Sequence, residues 1–202
     1  LELFDELGTD ALEAEGAAAL HCLFLEMFAR EPIGQVGYRP GDDLRAAAPW
    51  FDAEGYVRKK YRPVFDGPAP ETIFMGGTRG RMFNAEFGCS KYPFMKYSPG
   101  LFLRRGLHTI EGAPIAPAQG TVLHFKYLQD FKAKAFREAE RGVYWNASAE
   151  YKAYAERFRQ EGDFSLWHPG AKRFEGWRHL AELGLVQSSP ALAAAVEKRG
   201  RA

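Results

Sequence analysis

Apolar and polar positions divide the chain into a strand-rich first part and a helical last part. A continuous apolar run of strand length, ALHCLFLEMF, begins at Ala19 and carries one carboxylate, Glu26, near its carboxyl end. Such a run is typical of a buried central strand. After Tyr127, apolar residues recur at spacings of three or four, which predicts helices. This order favours an α+β layout or the trailing half of an α/β domain.

Glycine and proline residues mark the predicted ends of the helices in the last part of the chain. Gly142 and Gly162 follow periodic apolar stretches and are predicted to end the first two helices, with Asn146 as the N-cap of the second. A later helix is predicted to begin at Pro190, because proline is favoured at the first position of a helix.

Two further β-like runs each carry a histidine. The first spans residues 100–107 and is followed by His108, and the second spans residues 121–127 and contains His124. The segment between them, residues 111–120, has two prolines and two glycines and is predicted to be a loop. If the runs pair through that loop, the two imidazoles approach one another. Basic residues lie nearby and favour a site for a metal, a phosphate or both: Lys91, Lys96, Arg104 and Arg105.

A glycine-rich turn precedes these runs. Gly76-Gly77-Thr78-Arg79-Gly80-Arg81 follows a short predicted strand, and its glycines would let backbone amides approach a ligand. We expect Arg79 and Arg81 to continue the strand and therefore to point to opposite faces, so that one of them at most meets a phosphate. The turn lacks the Lys-Ser/Thr pair of a P-loop and the context of a dinucleotide fingerprint.

Composition narrows the class of protein. With 202 residues, 46% of them hydrophobic and 26% charged, the chain suits one soluble domain with or without a helical appendage. The net charge of +1 gives no reason to expect nucleic acid or an anionic membrane as a partner. Cys22 and Cys89 lie far apart, which favours a reducing, cytoplasmic location. The sequence has no apolar run of the roughly 18 to 20 residues that cross a bilayer.

A long stretch of the chain resembles part of a known family. Residues 91–145 read KYPFMKYSPGLFLRRGLHTIEGAPIAPAQGTVLHFKYLQDFKAKAFREAERGVYW. Ahead of them come, in order, a helix and strand over residues 3–28, Tyr38-Arg39-Pro40-Gly41, Phe51-Asp52 with Tyr56, and the glycine-rich turn. In this order the elements resemble the carboxyl-terminal half of bacterial family 2-like glycosyltransferases, over about residues 1 to 160.

The resemblance implies a GT-A-like α/β/α sandwich with a mixed sheet, followed by C-terminal helices. Residues 1–127 would form part of the catalytic domain and residues 128–202 a helical segment. Such enzymes move a sugar from a nucleotide-sugar donor to a glycan acceptor, with Mn²⁺ or Mg²⁺ on the donor diphosphate. The resemblance implies His124 as a metal ligand and His108 and Glu26 as catalytic groups. The implied substrate-binding residues are Gly76, Gly77, Arg79, Arg81 and Lys91.

One departure from the family is large. The chain contains no Asp-x-Asp motif, which in the family holds the cation together with the diphosphate, and the part that would bind the nucleotide base is absent. We therefore expect a fragment that lacks activity and tight metal binding by itself. We also expect it to expose an apolar sheet edge and to self-associate.

Two points stay open at the level of sequence. The general base that a glycosyl transfer needs can be any of four carboxylates: Glu26, Asp66, Glu86 or Glu111. Two rival classes also remain, a carbohydrate- or phosphate-binding module and a structural interaction domain. The aromatic residues that suit sugar stacking are Trp50, Tyr56, Tyr61, Tyr97 and Trp145. A position of His124 in a cleft would favour the enzyme, and a position in the core would not.

Overall fold

The computed structural model describes residues 12–60, 72–84, 87–104 and 107–200. Its strands are β1 (Ala19–Phe28), β2 (Trp50–Phe51), β3 (Tyr56–Lys60), β4 (Thr72–Gly76), β5 (Ser90–Met95), β6 (Phe102–Arg104), β7 (Thr109–Glu111), β8 (Ile115–Phe125) and β9 (Lys172–Arg173). Its helices are α1 (Leu44–Ala47), α2 (Thr78–Phe83), α3 (Phe131–Arg141), α4 (Trp145–Glu161), α5 (Trp177–Glu182) and α6 (Pro190–Gly200), with a 3-10 turn over Ile33–Gln35. Strands and helices are mixed, which confirms the α/β class.

The main sheet is built around β1. Strand β8 runs parallel to it along one edge. Along the opposite edge, β5 pairs with the first part of β1 and β2 with its last two residues, both antiparallel. Strand β9 extends the sheet beyond β2. Every residue of β1 except His21 and Phe24 is buried, so the prediction of a buried central strand is confirmed.

The two faces of β1 bury different cores. Side chains alternate along a strand, and Phe28 faces a core that α3 and α4 complete with large aromatic side chains, among them Phe131 and Tyr154. The neighbouring residue Met27 faces the other core, to which α5 contributes Leu180. Residues beyond 127 therefore share both cores with the sheet.

The pairing considered for residues 100–107 and 121–127 does not occur. Strand β6 pairs with β7, whereas β8 pairs with β1. The reason is that β8 gains a long parallel ladder against a buried strand, while Phe102 in β6 stays 60% exposed. The predicted loop over residues 111–120 is also wrong, because β8 already begins at Ile115. Pro117 falls where the β1–β8 register shifts, between the pairs Ala19↔Ile115 and His21↔Gln119, and a bulge of this kind tolerates proline in a strand.

The strand-like course predicted for Arg79 and Arg81 is wrong as well. These residues lie in helix α2, which Gly77 precedes with a φ of 60°. Two residues apart on a helix, the side chains still diverge by about 200°. Arg79 is 4% exposed and points into the protein, whereas Arg81 is exposed at the surface.

The predicted ends of the helices are largely confirmed. Helix α3 ends at Gly142, which has a left-handed φ of 65°, and α6 begins at Pro190 after Ser189, whose Oγ accepts the N–H of Leu192 at 3.1 Å. Asn146 does not cap α4, because α4 begins at Trp145 and Asn146 has a φ of 51°.

Some predicted features lie outside the described residues. They are the helix over residues 3–7, Tyr61, Asp66, Glu86 and Arg105. In the part of the chain that is described, no helix is both long enough and apolar enough to cross a bilayer.

Candidate functional site

Glu26 lies at the centre of a buried polar network. The register of β1 and β8 sets Glu26 beside His124, and His124 Nδ1 lies 3.0 Å from Glu26 Oε2. From the helix above, Arg79 Nε donates to Glu26 Oε1 at 2.5 Å. Glu26 is 0% exposed, so both oxygens of a fully buried carboxylate are occupied.

A second carboxylate extends the network to helix α4. Glu150 Oε1 accepts from Lys126 Nζ at 2.6 Å and lies 3.3 Å from Arg79 Nη1. Lys126 also donates to the Tyr154 hydroxyl at 2.8 Å, and that hydroxyl donates to Glu150. Two carboxylates and two cations are thus paired where β1, β8, α2 and α4 meet, as a charge-balanced buried network requires.

The two carboxylates of the network are ionised at neutral pH. Burial alone would raise the pKa of Glu26, but Arg79 and then His124 outweigh it, and the pKa falls to about 2. Burial likewise opposes the ionisation of Glu150, yet Arg79 and Lys126 lower its pKa to about 2. Burial, with Arg79 next, lowers the pKa of Lys126 to about 8. Both carboxylates are therefore ionised acceptors of hydrogen bonds.

This ionisation sets the direction of the hydrogen bond between His124 and Glu26. Because ionised Glu26 can only accept, Nδ1 of His124 donates to it, and Nε2 is the ring nitrogen that is left for another partner. The ring stacks on Phe24 with centroids 4.6 Å and planes 9° apart. The side chain is 32% exposed. His124 therefore lies at the boundary between the core and solvent.

His108 also donates through Nδ1, for a different reason. Its Nδ1 lies 2.8 Å from the backbone oxygen of Ser90, which can only accept, so Nδ1 carries the proton and Nε2 the lone pair. Burial, and then the nearby Lys91, lower the pKa of His108. Its ring meets the edge of Phe24 with centroids 6.1 Å apart. The two histidine rings thus lie against the same Phe24 ring and do not share a hairpin.

A basic residue completes this surface. Lys91 on β5 pairs with Cys22 of β1, and its Nζ lies 5.4 Å from the centre of the Phe24 ring. Burial, and then Arg79, lower the pKa of Lys91. We call Phe24, Lys91, His108 and His124 the histidine face, and all four residues are partly exposed. Two imidazole rings and one ammonium group therefore lie around the Phe24 ring.

Arg81 belongs to a different cluster. Its Nε lies 3.0 Å from Asp52 Oδ2 and its Nη2 donates to the Leu166 oxygen at 2.7 Å. The other oxygen of Asp52 is 2.6 Å from His168 Nε2. Because Nδ1 of His168 accepts the N–H of Gly170 at 3.3 Å, both ring nitrogens are engaged. This cluster ties α2 to the segment before β9 and contains no residue of the histidine face.

Gly76 and Gly77 have steric reasons to be glycine. Gly76 has a φ of 95°, and a Cβ there would overlap the backbone oxygen of Gly55. Gly77 has a φ of 60°, and a Cβ there would overlap the ring of Tyr56. These contacts explain the turn without a ligand, and the structure does not bring the two glycines to the histidine face.

Alanine at Gly76 is therefore expected to destabilise the protein by about 2 kcal/mol or more, because it adds a backbone clash to a strained φ. Urea unfolding followed by circular dichroism measures this change. Gly80→Ala is the control, since a Cβ at Gly80 meets nothing within 4 Å and alanine favours the helix. Equal midpoints for Gly76→Ala and the wild type would contradict the steric explanation.

Several residues of the site were not predicted from the sequence. Lys126 follows His124 by two positions, directly after β8, and Glu150 and Tyr154 are four apart on one helix. These spacings place each pair on one side of its element, but they do not say that the two sides meet. Among the described residues there is no group of three or more His, Cys, Asp or Glu that would hold a metal by itself.

Comparisons with known proteins add no family to this description. Neither the protein-family models, nor the curated proteins, nor the solved structures gave a match to the chain.

Proposed function

We propose that this chain forms the histidine-bearing part of a GT-A-like glycosyltransferase, which moves a sugar from a nucleotide-sugar donor to a glycan acceptor. The observation that carries the proposal is the pair of imidazoles that engage their Nδ1 atoms and pack on the Phe24 ring, which Lys91 Nζ also approaches to 5.4 Å. The order of the sequence motifs that resemble this family supports the same assignment.

The leaving group of such a reaction is a nucleoside diphosphate, which gains negative charge as the bond to the sugar breaks. A cation placed at that oxygen stabilises the transition state. Lys91 offers an ammonium group, and its position near Phe24 and Arg79 puts it in a partly dehydrated setting where charge acts strongly. We assign Lys91 to the donor diphosphate.

A divalent cation fits His124. A metal-ligating histidine commonly donates its other N–H to a carboxylate, which orients the ring, and Glu26 accepts from His124 in this way. When bound, Mn²⁺ or Mg²⁺ would neutralise charge on the diphosphate. Glu26 then acts by orienting His124 and not as a base, because both of its oxygens are occupied in the core.

His108 is the proposed general base. Its lowered pKa keeps Nε2 unprotonated at neutral pH, as proton abstraction requires. In the transfer step the acceptor oxygen bonds to the anomeric carbon, the bond from that carbon to the diphosphate oxygen breaks, and the hydroxyl proton passes to His108 Nε2. Glu150 is less suited to this role, because a pKa of about 2 makes it a weak base.

Lys91→Met is expected to weaken binding of the nucleotide about tenfold or more, since charge-assisted contacts contribute about 1.5 to 3 kcal/mol. Calorimetry of the natural protein that contains this chain, with UDP, GDP and dTDP in the presence of Mn²⁺, measures the affinity. Lys96→Met is the matched control, because Lys96 is exposed and pairs with Glu13 at 3.2 Å. An equal loss of nucleotide affinity in the two variants would refute the assignment of Lys91 to the donor diphosphate.

A non-catalytic phosphate- or carbohydrate-binding module is the alternative, and the same lysine and imidazoles would serve it. Product formation separates the two functions. The natural protein, incubated with a panel of nucleotide sugars, Mn²⁺ and oligosaccharide acceptors, should release nucleoside diphosphate only when an acceptor is present. Tight nucleotide binding without such release would favour the binding module.

A further inference from the structure

The segment that joins α3 to α4 exposes large apolar side chains. Val143 is 66% exposed, Tyr144 47% and Trp145 70%. We call these three residues the aromatic platform. Exposed aromatic side chains in a consecutive group are unusual on a protein surface and are typical of binding sites.

An unusual backbone holds the platform in place. The next three residues, Asn146, Ala147 and Ser148, have φ values of 51°, 50° and 59°, a left-handed region that costs about 1 kcal/mol or more at each non-glycine residue. Two hydrogen bonds close the turn: Tyr144 N–H donates to Ser148 Oγ at 3.2 Å, and Ser148 N–H donates to Tyr144 O at 3.0 Å. Since Ser148 is 0% exposed, the turn is anchored in the protein. Strain of this kind is concentrated at functional sites.

The platform borders the polar network of the candidate site. The Tyr144 ring lies 4.9 Å from the Tyr151 ring, which in turn lies 5.6 Å from Lys126 Nζ. Glu150 precedes Tyr151, and its side chain is 26% exposed. All hydrogen bonds and ion pairs found for Glu150 among the described residues fall on Oε1. An ionised, partly exposed carboxylate therefore precedes the residue whose ring packs on Tyr144.

We propose that the aromatic platform binds a pyranose ring of a neutral glycan acceptor, an inference that rests on the proposed glycosyltransferase function. One face of a pyranose presents C–H groups with partial positive charge, which complement the negative face of an aromatic ring. Its hydroxyl groups are donors that suit the carboxylate of Glu150.

The charges around the platform favour a neutral glycan over an anionic membrane. The nearest basic residues before it on α3, Arg137 and Arg141, are both paired with Glu138, at 3.0 Å and 2.8 Å. A membrane-binding surface would instead present a cluster of basic residues to the anionic lipid headgroups.

The test compares two exposed tryptophans. Calorimetry measures the affinity of the natural protein for maltotriose, cellotriose and chitotriose, without nucleotide or cation. Trp145→Ala should raise the Kd of the best-bound trisaccharide about tenfold, because loss of a stacked ring lowers the affinity by roughly this factor. Trp177→Ala is the matched control, since Trp177 is 49% exposed and lies on α5, which packs on the other face of the sheet. This control should bind as the wild type does.

Three results would overturn the proposal that the aromatic platform binds a pyranose ring. They are equal trisaccharide affinity in Trp145→Ala and the wild type, no trisaccharide binding by the wild type at millimolar concentration, and binding of the wild type to phosphatidylglycerol vesicles in place of sugars. The proposed function fails separately. Trisaccharide binding that depends on Trp145, without release of nucleoside diphosphate from any nucleotide sugar, would support sugar binding by the platform and refute the proposed transferase activity.

Discussion

Alanine in place of either histidine of the histidine face is expected to remove most of the turnover of the natural protein. Loss of a general base costs about 10²- to 10⁴-fold, so His108→Ala should lower kcat by this amount at saturating donor. The partners that merely orient a metal-ligating histidine account for about 10- to 100-fold, so His124→Ala should cost about a hundredfold or more.

The two variants are expected to differ in binding. His108→Ala should leave the affinity for the nucleotide unchanged, because the proposed base would contact only the acceptor hydroxyl. His124→Ala should weaken nucleotide binding in the presence of Mn²⁺ and have little effect on it without the cation. His179→Ala is the control for both, since His179 lies on α5 beside Phe51, away from the histidine face. Near-normal turnover in His108→Ala and His124→Ala would refute the assignment.

Arg79→Met is expected to destabilise the fold by about 3 to 5 kcal/mol, because it leaves the fully buried charge of Glu26 without its guanidinium partner. The midpoint of urea unfolding at pH 7 measures the change. Arg159→Met is the control: Arg159 pairs with Glu156 at 3.2 Å at the surface, where an ion pair contributes little. Equal midpoints for Arg79→Met and Arg159→Met would contradict the role given to the network.

The same network gives the stability a defined dependence on pH. The pKa of Glu26 and of Glu150 falls from 4.5 to about 2 in the folded protein. The stabilisation is therefore fully present above pH 4.5 and is lost as the pH falls toward 2. Unfolding curves between these two pH values should show a steep loss of stability in the wild type and a shallower one in Arg79→Met.

The central strand and two residues of the candidate site were accessible from the sequence. The apolar run that became β1 is unambiguous because both faces of the strand are buried, and Glu26 is conspicuous as its only charge. His124 was predicted to lie on a core strand, and it does. Local periodicity and burial determine these features, so a single sequence carries them.

Strand pairing and the polar network were not accessible in this way. Strand β8 pairs with β1 and not with β6, which is nearer in the sequence, because pairing with β1 buries a long hydrogen-bonded ladder. Local sequence does not encode this gain in burial. The glycine-rich turn looked strand-like, yet Gly77 takes a positive φ and starts helix α2. That helix carries Arg79 to Glu26, 53 residues earlier, and Glu150 reaches the same guanidinium from α4. Contacts at such separations follow from the fold as a whole.

The position of the donor diphosphate and its cation is the central claim, and paramagnetic broadening tests it most directly. The five histidines of this chain serve as reporters in a spectrum of imidazole carbon-bound protons. Mn²⁺ would be added to the natural protein in small steps with saturating UDP, GDP or dTDP, whichever binds best. We expect the signals of His124 and His108 to disappear at lower Mn²⁺ concentrations than those of His168 and His179. Earlier loss of the His168 or His179 signal, or equal loss of all five, would contradict the account.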